Sequence, residues 1–206
     1  MSATLLVLNE VSVAPGRVDQ VLAEWSRLNQ KEPVAGRALY VSVDDGNVLE
    51  ITPVKDIAEL NGLNAGWHKL WESVSDDLVT DFRRHLLEFV EAPKDTTDPV
   101  PQTPYVQLRY IEVKPSTYAA YREWRENTIF DVVRRSDEVK TFLAYHSLIS
   151  SQPGVMFVSG FECEPAQYQA VFTSPEYQEI VQQAGDRYIV GGESGLYTRV
   201  YKRADV

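Results

Sequence analysis

Val13–Ala14–Pro15 and Val113–Lys114–Pro115 stand about a hundred residues apart and close two similar runs. Leu6–Val7–Leu8–Asn9–Glu10–Val11–Ser12 leads into the first, and Val106–Gln107–Leu108–Arg109–Tyr110–Ile111–Glu112 into the second. Each run then opens an amphipathic stretch that carries a Glu-Trp pair, Glu24–Trp25 and Glu123–Trp124. A long internal period of this kind means one supersecondary unit used twice, so each half constrains the reading of the other.

Leu5, Val7, Val11 and Val13 fall on one side of a period-2 pattern and Glu10 and Ser12 on the other, which predicts a half-buried strand. After Pro15–Gly16, the residues Val18, Val21, Leu22, Trp25 and Leu28 follow at helical spacing and stop before Pro33. Residues 37–43 and 47–52 flank the turn signal Asp44–Asp45–Gly46 and read as a hairpin. A second helical region runs from Ile57 to Arg84, and residues 86–90 read as a closing strand or as that helix's last turn. The second half repeats the order. A strand at 105–113 precedes a helix from Ser116 to Arg135 with Tyr118, Tyr121, Trp124, Ile129 and Val132 inward. A hairpin of 141–149 and 155–161 surrounds Gln152–Pro153–Gly154, a helical region at 165–184 breaks near Pro175, and 196–202 forms a final strand.

The order is β-α-β-β-α-β, twice, the ferredoxin-like unit. Such an antiparallel sheet carries helices on one face, and its other face needs a cover. The fold class expected is therefore α+β: two tandem ferredoxin-like repeats, residues 1–92 and 105–206, forming one intramolecular barrel. Residues 93–104 hold Pro93, Pro99, Pro101 and Pro104 among polar residues and read as a linker.

Bulk properties narrow the partners. A net charge of −10 argues against nucleic acid, whose phosphates call for clustered Lys and Arg. Cys163 is the single cysteine, so no internal disulfide is possible. The N-terminus has no basic region before its apolar residues and reads as a strand, not a signal peptide. No apolar stretch approaches the roughly 20 residues needed to span a bilayer. A soluble, cytoplasmic chain is expected, either a monomer with an internal pseudo-dimer or a homodimer of it.

Residues 155–162, Val-Met-Phe-Val-Ser-Gly-Phe-Glu, followed by Glu164–Pro165–Ala166–Gln167–Tyr168 and Ser174–Pro175–Glu176–Tyr177, resemble the antibiotic biosynthesis monooxygenase (ABM) family of dimeric α/β barrels. So does the strand–Pro–helix–Trp opening of both halves, and more loosely Val48–Leu49–Glu50 with Asp56–Ile57–Ala58–Glu59–Leu60. The resemblance implies small hydrophobic ligands held between each sheet and its helices, and a small-molecule oxidoreductase acting on an aromatic or polyketide-like substrate without a cofactor. Family members often carry a His on the second helix; Val171 stands about there in this chain.

Asn9 and Arg109 each lie six residues before the repeated proline and share a face with apolar neighbours. A polar side chain there is either satisfied within the core or serves a ligand. His146 aligns with Val41 and shares a face with Phe142, Ala144 and Leu148; a core residue and a base are both consistent with it. His68 and Trp71, three apart, share a helix face in Gly66–Trp67–His68–Lys69–Leu70–Trp71. His85 reads as a surface or helix-end residue. The candidate catalytic set is Asn9 and Arg109 as donors and His68 or His146 as base, with Tyr40, Trp67, Trp71, Trp124 and Tyr145 as pocket walls. Asn9 with a helix Trp and His also resembles the haem-degrading branch of the superfamily, although Trp71 follows His68 rather than preceding it; haem binding stays open as an alternative, as does a non-catalytic ligand-binding or stress-response module. The sequence contains no HExxH, paired cysteines, calcium loop or GxSxG motif.

Overall fold

The first strand, β1 (Leu5–Ser12), is buried at every residue from Leu6 to Glu10, and at Val11. The alternation is therefore not that of a half-buried strand. Val7 and Val11 face helices, whereas Leu6 and Leu8 face the inside of a barrel. Glu10, on the inner face, is 6% exposed and accepts hydrogen bonds from Arg199 and the Tyr201 hydroxyl. The computed structural model describes residues 1–44, 46–150 and 154–204; Asp45, Gln152 and Pro153 of the two turn signals lie outside the described residues.

At Ala14–Pro15–Gly16–Arg17 the Arg17 N–H returns to the Ala14 carbonyl at 3.0 Å and Gly16 sits at φ 77°, a turn that needs glycine at its third position. It delivers the chain into α1 (Val18–Lys31), which buries Val21 and Trp25. The hairpin of β2 (Ala38–Ser42) and β3 (Asn47–Val54) follows, then α2 (Leu60–Val74) and β4 (Arg83–Lys94). The second helix thus ends at Val74, ten residues before the expected Arg84, and Arg83 already begins a strand.

In the second half β5 (Tyr105–Ile111) leads to α3 (Tyr118–Glu126) and α4 (Ile129–Arg135), so the predicted single helix is interrupted at Asn127–Thr128. There the Asn127 side chain and the Thr128 hydroxyl bond back to the Glu123 and Trp124 carbonyls, competing with the helical ladder. The hairpin of β6 (Thr141–Ile149) and β7 (Val155–Phe161) has the predicted bounds. The next helical region breaks at Pro175 into α5 (Pro165–Phe172) and α6 (Pro175–Arg187), and β8 (Leu196–Arg203) closes the chain.

The eight strands form one closed antiparallel barrel in the order β1-β3-β2-β8-β5-β7-β6-β4. Each half contributes a ferredoxin-like sheet, β4-β1-β3-β2 and β8-β5-β7-β6. The halves join where β2 pairs with β8 (Ser42 opposite Tyr201) and β4 with β6 (Phe89 opposite Tyr145). Closure removes every sheet edge. The interior is filled by Leu6, Leu8, Leu49, Ile51, Leu87, Leu108, Leu143, Met156 and Val158, with Tyr40, Tyr145 and Tyr201 fully buried among them. His85 also belongs inside, opposite Leu8, 2% exposed and edge-on to Tyr110; burial pushes its imidazole below the ordinary value. It reads as a surface residue only if β4 is taken for a helix end. Among the described residues no helix is long and apolar enough to cross a membrane.

The proline-rich segment is not a solvated spacer. Val100 is 0% exposed within the barrel interior, the Tyr40 hydroxyl bonds the Pro101 carbonyl at 2.9 Å, and the Ala3 N–H bonds Pro99 at 2.8 Å. Proline suits this place because its carbonyls remain available while its ring supplies apolar cover. Val100→Ala is expected to cost about 2 kcal/mol in urea denaturation, as for a truncated core side chain; a free linker would lose less than about 0.5 kcal/mol.

Candidate functional site

The two halves present equivalent rows of residues on their helix-facing sides. In the first half Arg84, Asn9, Glu50 and Leu39 lie side by side across β4, β1, β3 and β2. In the second half Thr198, Arg109, Phe157 and Ala144 take the same places across β8, β5, β7 and β6. Asn9 and Arg109 are thus registered alike, as their equal spacing from the prolines requires.

Beneath the N-terminal helices lies a cavity of about 680 Å³, lined by Trp25, Leu28, Val34, Pro53, Val54, Leu63, Trp67 and Leu70 together with Asn29, Arg37 and Glu50. The α2 spacing explains its inner wall. Leu63, Gly66, Trp67 and Leu70 recur every three or four residues and face the sheet, and Gly62 and Gly66 bring only backbone to it. A Cβ at Gly62 would meet nothing within 4 Å. Arg84 stacks its guanidinium 4.8 Å from the Trp67 ring, and burial pushes it below its ordinary value. At the rim Glu32 and Lys69 pair at 2.6 Å between the two helices, both exposed, a contact of small energetic weight that holds the Glu32 carboxyl below its usual range.

Glu50 is the buried polar centre of this cavity, 1% exposed. Its Oε2 accepts the Trp25 indole N–H and the Asn29 amide N–H, each at 2.8 Å, and Arg37 Nε stands 3.7 Å away. That last distance makes an ion pair but not a hydrogen bond, so the buried Arg37 Nε–H has no acceptor among the described residues. Arg37 Nη1 donates to Asn29 Oδ1 at 2.6 Å and fixes that amide. Oε1 of Glu50 has one longer contact, from the Thr52 hydroxyl at 3.2 Å. Asn9, next to Glu50 and 0% exposed, leaves both side-chain polar atoms unpartnered among the described residues. Unpartnered buried polar atoms are costly, and the second half carries them too, at the Tyr121 hydroxyl and Arg125 Nη1.

The equivalent space in the second half is almost gone, about 20 Å³. Arg109 is spent: it donates to the Tyr177 hydroxyl at 2.7 Å and lies over the Phe172 ring. Tyr168 stacks on Phe161 at 3.9 Å and bonds Ser159, and Phe172 and Tyr177 fill the remainder. Burial pushes the Tyr121 and Tyr168 phenols up, so they stay neutral.

Of the candidates read from sequence, Trp67 lines the cavity and Asn9 lies in the sheet next to its Glu50. His68 and Trp71 do share a helix face, but it is the solvent face, because Trp67 and Leu70 take the inner one. His146 is exposed near the end of β6, edge-on to Tyr118, and lies outside the lining. Tyr40 and Tyr145 point into the barrel, the wrong side of the sheet for a helix-covered pocket. Trp124 packs against Tyr121 and Tyr188 and lines neither space. Glu50 was legible by the argument used for Asn9, an acid between Val48 and Thr52 on one strand face; Asn29 and Arg37 carry no local signal. The lining holds no His, Cys, Met or Tyr, so it offers none of the usual axial donors and does not fit haem. 

The sequence matches no protein-family model and no curated protein. By structure, the chain aligns over 97% of its length with an anthrone oxidase-like protein, covering 91% of it, at a TM-score of 0.74 and 13% identity. An uncharacterized ferredoxin-fold protein related to antibiotic biosynthesis monooxygenases, from Listeria monocytogenes 4b F2365, aligns at 0.56 and 7% identity over 98% of this chain and 96% of its own. LmHde, a heme-degrading enzyme from Listeria monocytogenes, aligns at 0.55 and 8% identity over 96% and 99%. The fold is the ABM-like dimeric α/β barrel.

Trp25→Phe keeps an aromatic ring near Glu50 but removes the indole N–H donor and some of the buried ring volume. It is expected to lower stability by about 1.5–3 kcal/mol in urea denaturation, the range for a hydrogen bond to a charged group; a loss below about 0.5 kcal/mol would mean that the indole does not hold Glu50.

Proposed function

We propose that this chain is a small-molecule oxidoreductase of the ABM-like kind, binding a hydrophobic aromatic or polyketide-like molecule in the N-terminal cavity and oxidising it with dioxygen. One observation carries the reading: at equivalent places in two like halves, one space is about 680 Å³ and the other about 20 Å³. The larger space is of the size and character of a small-molecule site, apolar walls with a few convergent polar groups. Its Trp25 and Trp67 suit a flat aromatic guest. The likeness to an anthrone oxidase-like protein supports the same substrate class.

An electron-rich carbon acid of this class needs no haem. Loss of one C–H proton leaves a carbanion whose electrons pass to dioxygen, and a C–O bond forms. The resulting hydroperoxide loses water as its O–O bond and second C–H bond break, giving a carbonyl. One oxygen atom ends in the product and the other in water. The protein's part is to exclude bulk water, orient the guest and move the protons. The second half then serves as the cover that completes the barrel.

Gly62→Leu tests the site. Gly62 lines the cavity and a Cβ there meets nothing within 4 Å, so Leu adds bulk at the cavity wall without a backbone clash and improves helix propensity by roughly 1 kcal/mol. Wild type is expected to bind anthrone, read by quenching of tryptophan fluorescence, and to consume oxygen with it; the variant is expected to lose at least tenfold in affinity. Equal affinity in the two proteins would place the guest elsewhere, and binding without oxygen uptake would reduce the function to that of a ligand-binding module.

A further inference from the structure

We infer that Glu50 is the catalytic base of this cavity, taking the proton of a carbon acid on Oε1, and that the positive charge of the Arg37 guanidinium on the same wall stabilises the oxyanion that forms. The assignment rests on the pocket reading above and gives it a chemistry. Neither His68 nor His146 lines the cavity, so neither can reach a guest held there. Glu50 does, and its two oxygens are unequally used. Oε2 is held by the Trp25 and Asn29 N–H groups at 2.8 Å each. Oε1 has only the Thr52 hydroxyl at 3.2 Å and keeps capacity for one more partner. The same donors lock the carboxyl in one orientation, as a base positioned for a single proton requires.

Arg37 completes the pair. It lines the same wall and is anchored through Nη1 to Asn29, which holds its charge beside a guest in the cavity. A carboxylate with acceptor capacity and a guanidinium, side by side on one wall, complement an enolisable carbonyl compound. Such a molecule gives up a C–H proton while charge gathers on its carbonyl oxygen. In the step the C–H bond breaks, an O–H bond forms at Oε1, and the electron pair is delocalised onto the carbonyl oxygen facing Arg37. Dioxygen is the oxidant that later takes those electrons, and the proton on Glu50 returns to the peroxide. The second half cannot do this: Phe157 occupies the position of Glu50, and Arg109 is committed to Tyr177.

The proton step can be observed without the oxygen step. Under argon in D2O, wild type is expected to accelerate exchange of the anthrone methylene hydrogens, followed by proton NMR. Glu50→Gln, which keeps the acceptor for Trp25, is expected to lower that exchange at least 100-fold while anthrone affinity from fluorescence quenching changes less than threefold. Glu50→Asp, which withdraws the carboxylate by one methylene, is expected to lose about 10-fold with the circular dichroism spectrum and affinity kept; it carries the test if the Gln variant does not fold. Wild-type exchange in either variant overturns the assignment and leaves the pocket reading standing. Wild-type protein that neither binds anthrone nor accelerates exchange overturns both.

Discussion

A four-stranded antiparallel sheet with helices on one side leaves its other side bare, and this chain resolves the problem by turning two such sheets toward each other. The pairings of β2 with β8 and β4 with β6 close the barrel, and apolar and tyrosine side chains from all eight strands fill it. Everything about the site follows from that closure. The barrel interior is occupied by core, so a guest has only the spaces between each sheet's outer face and its helices.

Those two spaces have diverged. In the first half the row across the sheet offers Asn9 and Glu50, and α2 passes above it with Gly62 and Gly66. In the second half the same row offers Arg109 and Phe157, and Tyr168, Phe172 and Tyr177 descend from α5 and α6 to fill the gap. A Phe in place of a Glu removes the polar centre, and a Tyr hydroxyl in place of a ligand satisfies the arginine. One half is thereby filled, and the other keeps an open cavity beside the buried Asn9 and Glu50.

Much of the architecture was legible in the chain because its cues are local and repeated. The two Val-x-Pro closures, the helical stripe Val18–Val21–Trp25 and the hairpin of residues 141–161 each specify an element without help from the rest. Local pattern and structure part where tertiary context decides. Helix periodicity carried the second helix to Arg84, but the sheet recruits Arg83 onward because β1 and β6 both need a partner there. Polar, proline-rich 93–104 reads as a spacer, yet Val100 is drawn into the barrel end. In the site, strand alternation put Asn9 and Arg109 on the helix side. Tyr40 and Tyr145 were misplaced because both faces of a closed barrel's strands are buried, so burial does not say which face. Asn29 meets Glu50 through the crossing of α1 over β3, and Arg37 from the residue just before β2, which no spacing in the chain announces.

In the proposed function a guest binds in the cavity under the N-terminal helices, and not in the barrel or the opposite half. A crystal of the full chain soaked with anthrone tests it most directly. Density for the guest is expected between Trp25 and Trp67, within hydrogen-bond reach of Glu50 or Arg37, with none beneath α5 and α6. Density inside the barrel, or among Arg109, Phe172 and Tyr177, would contradict it.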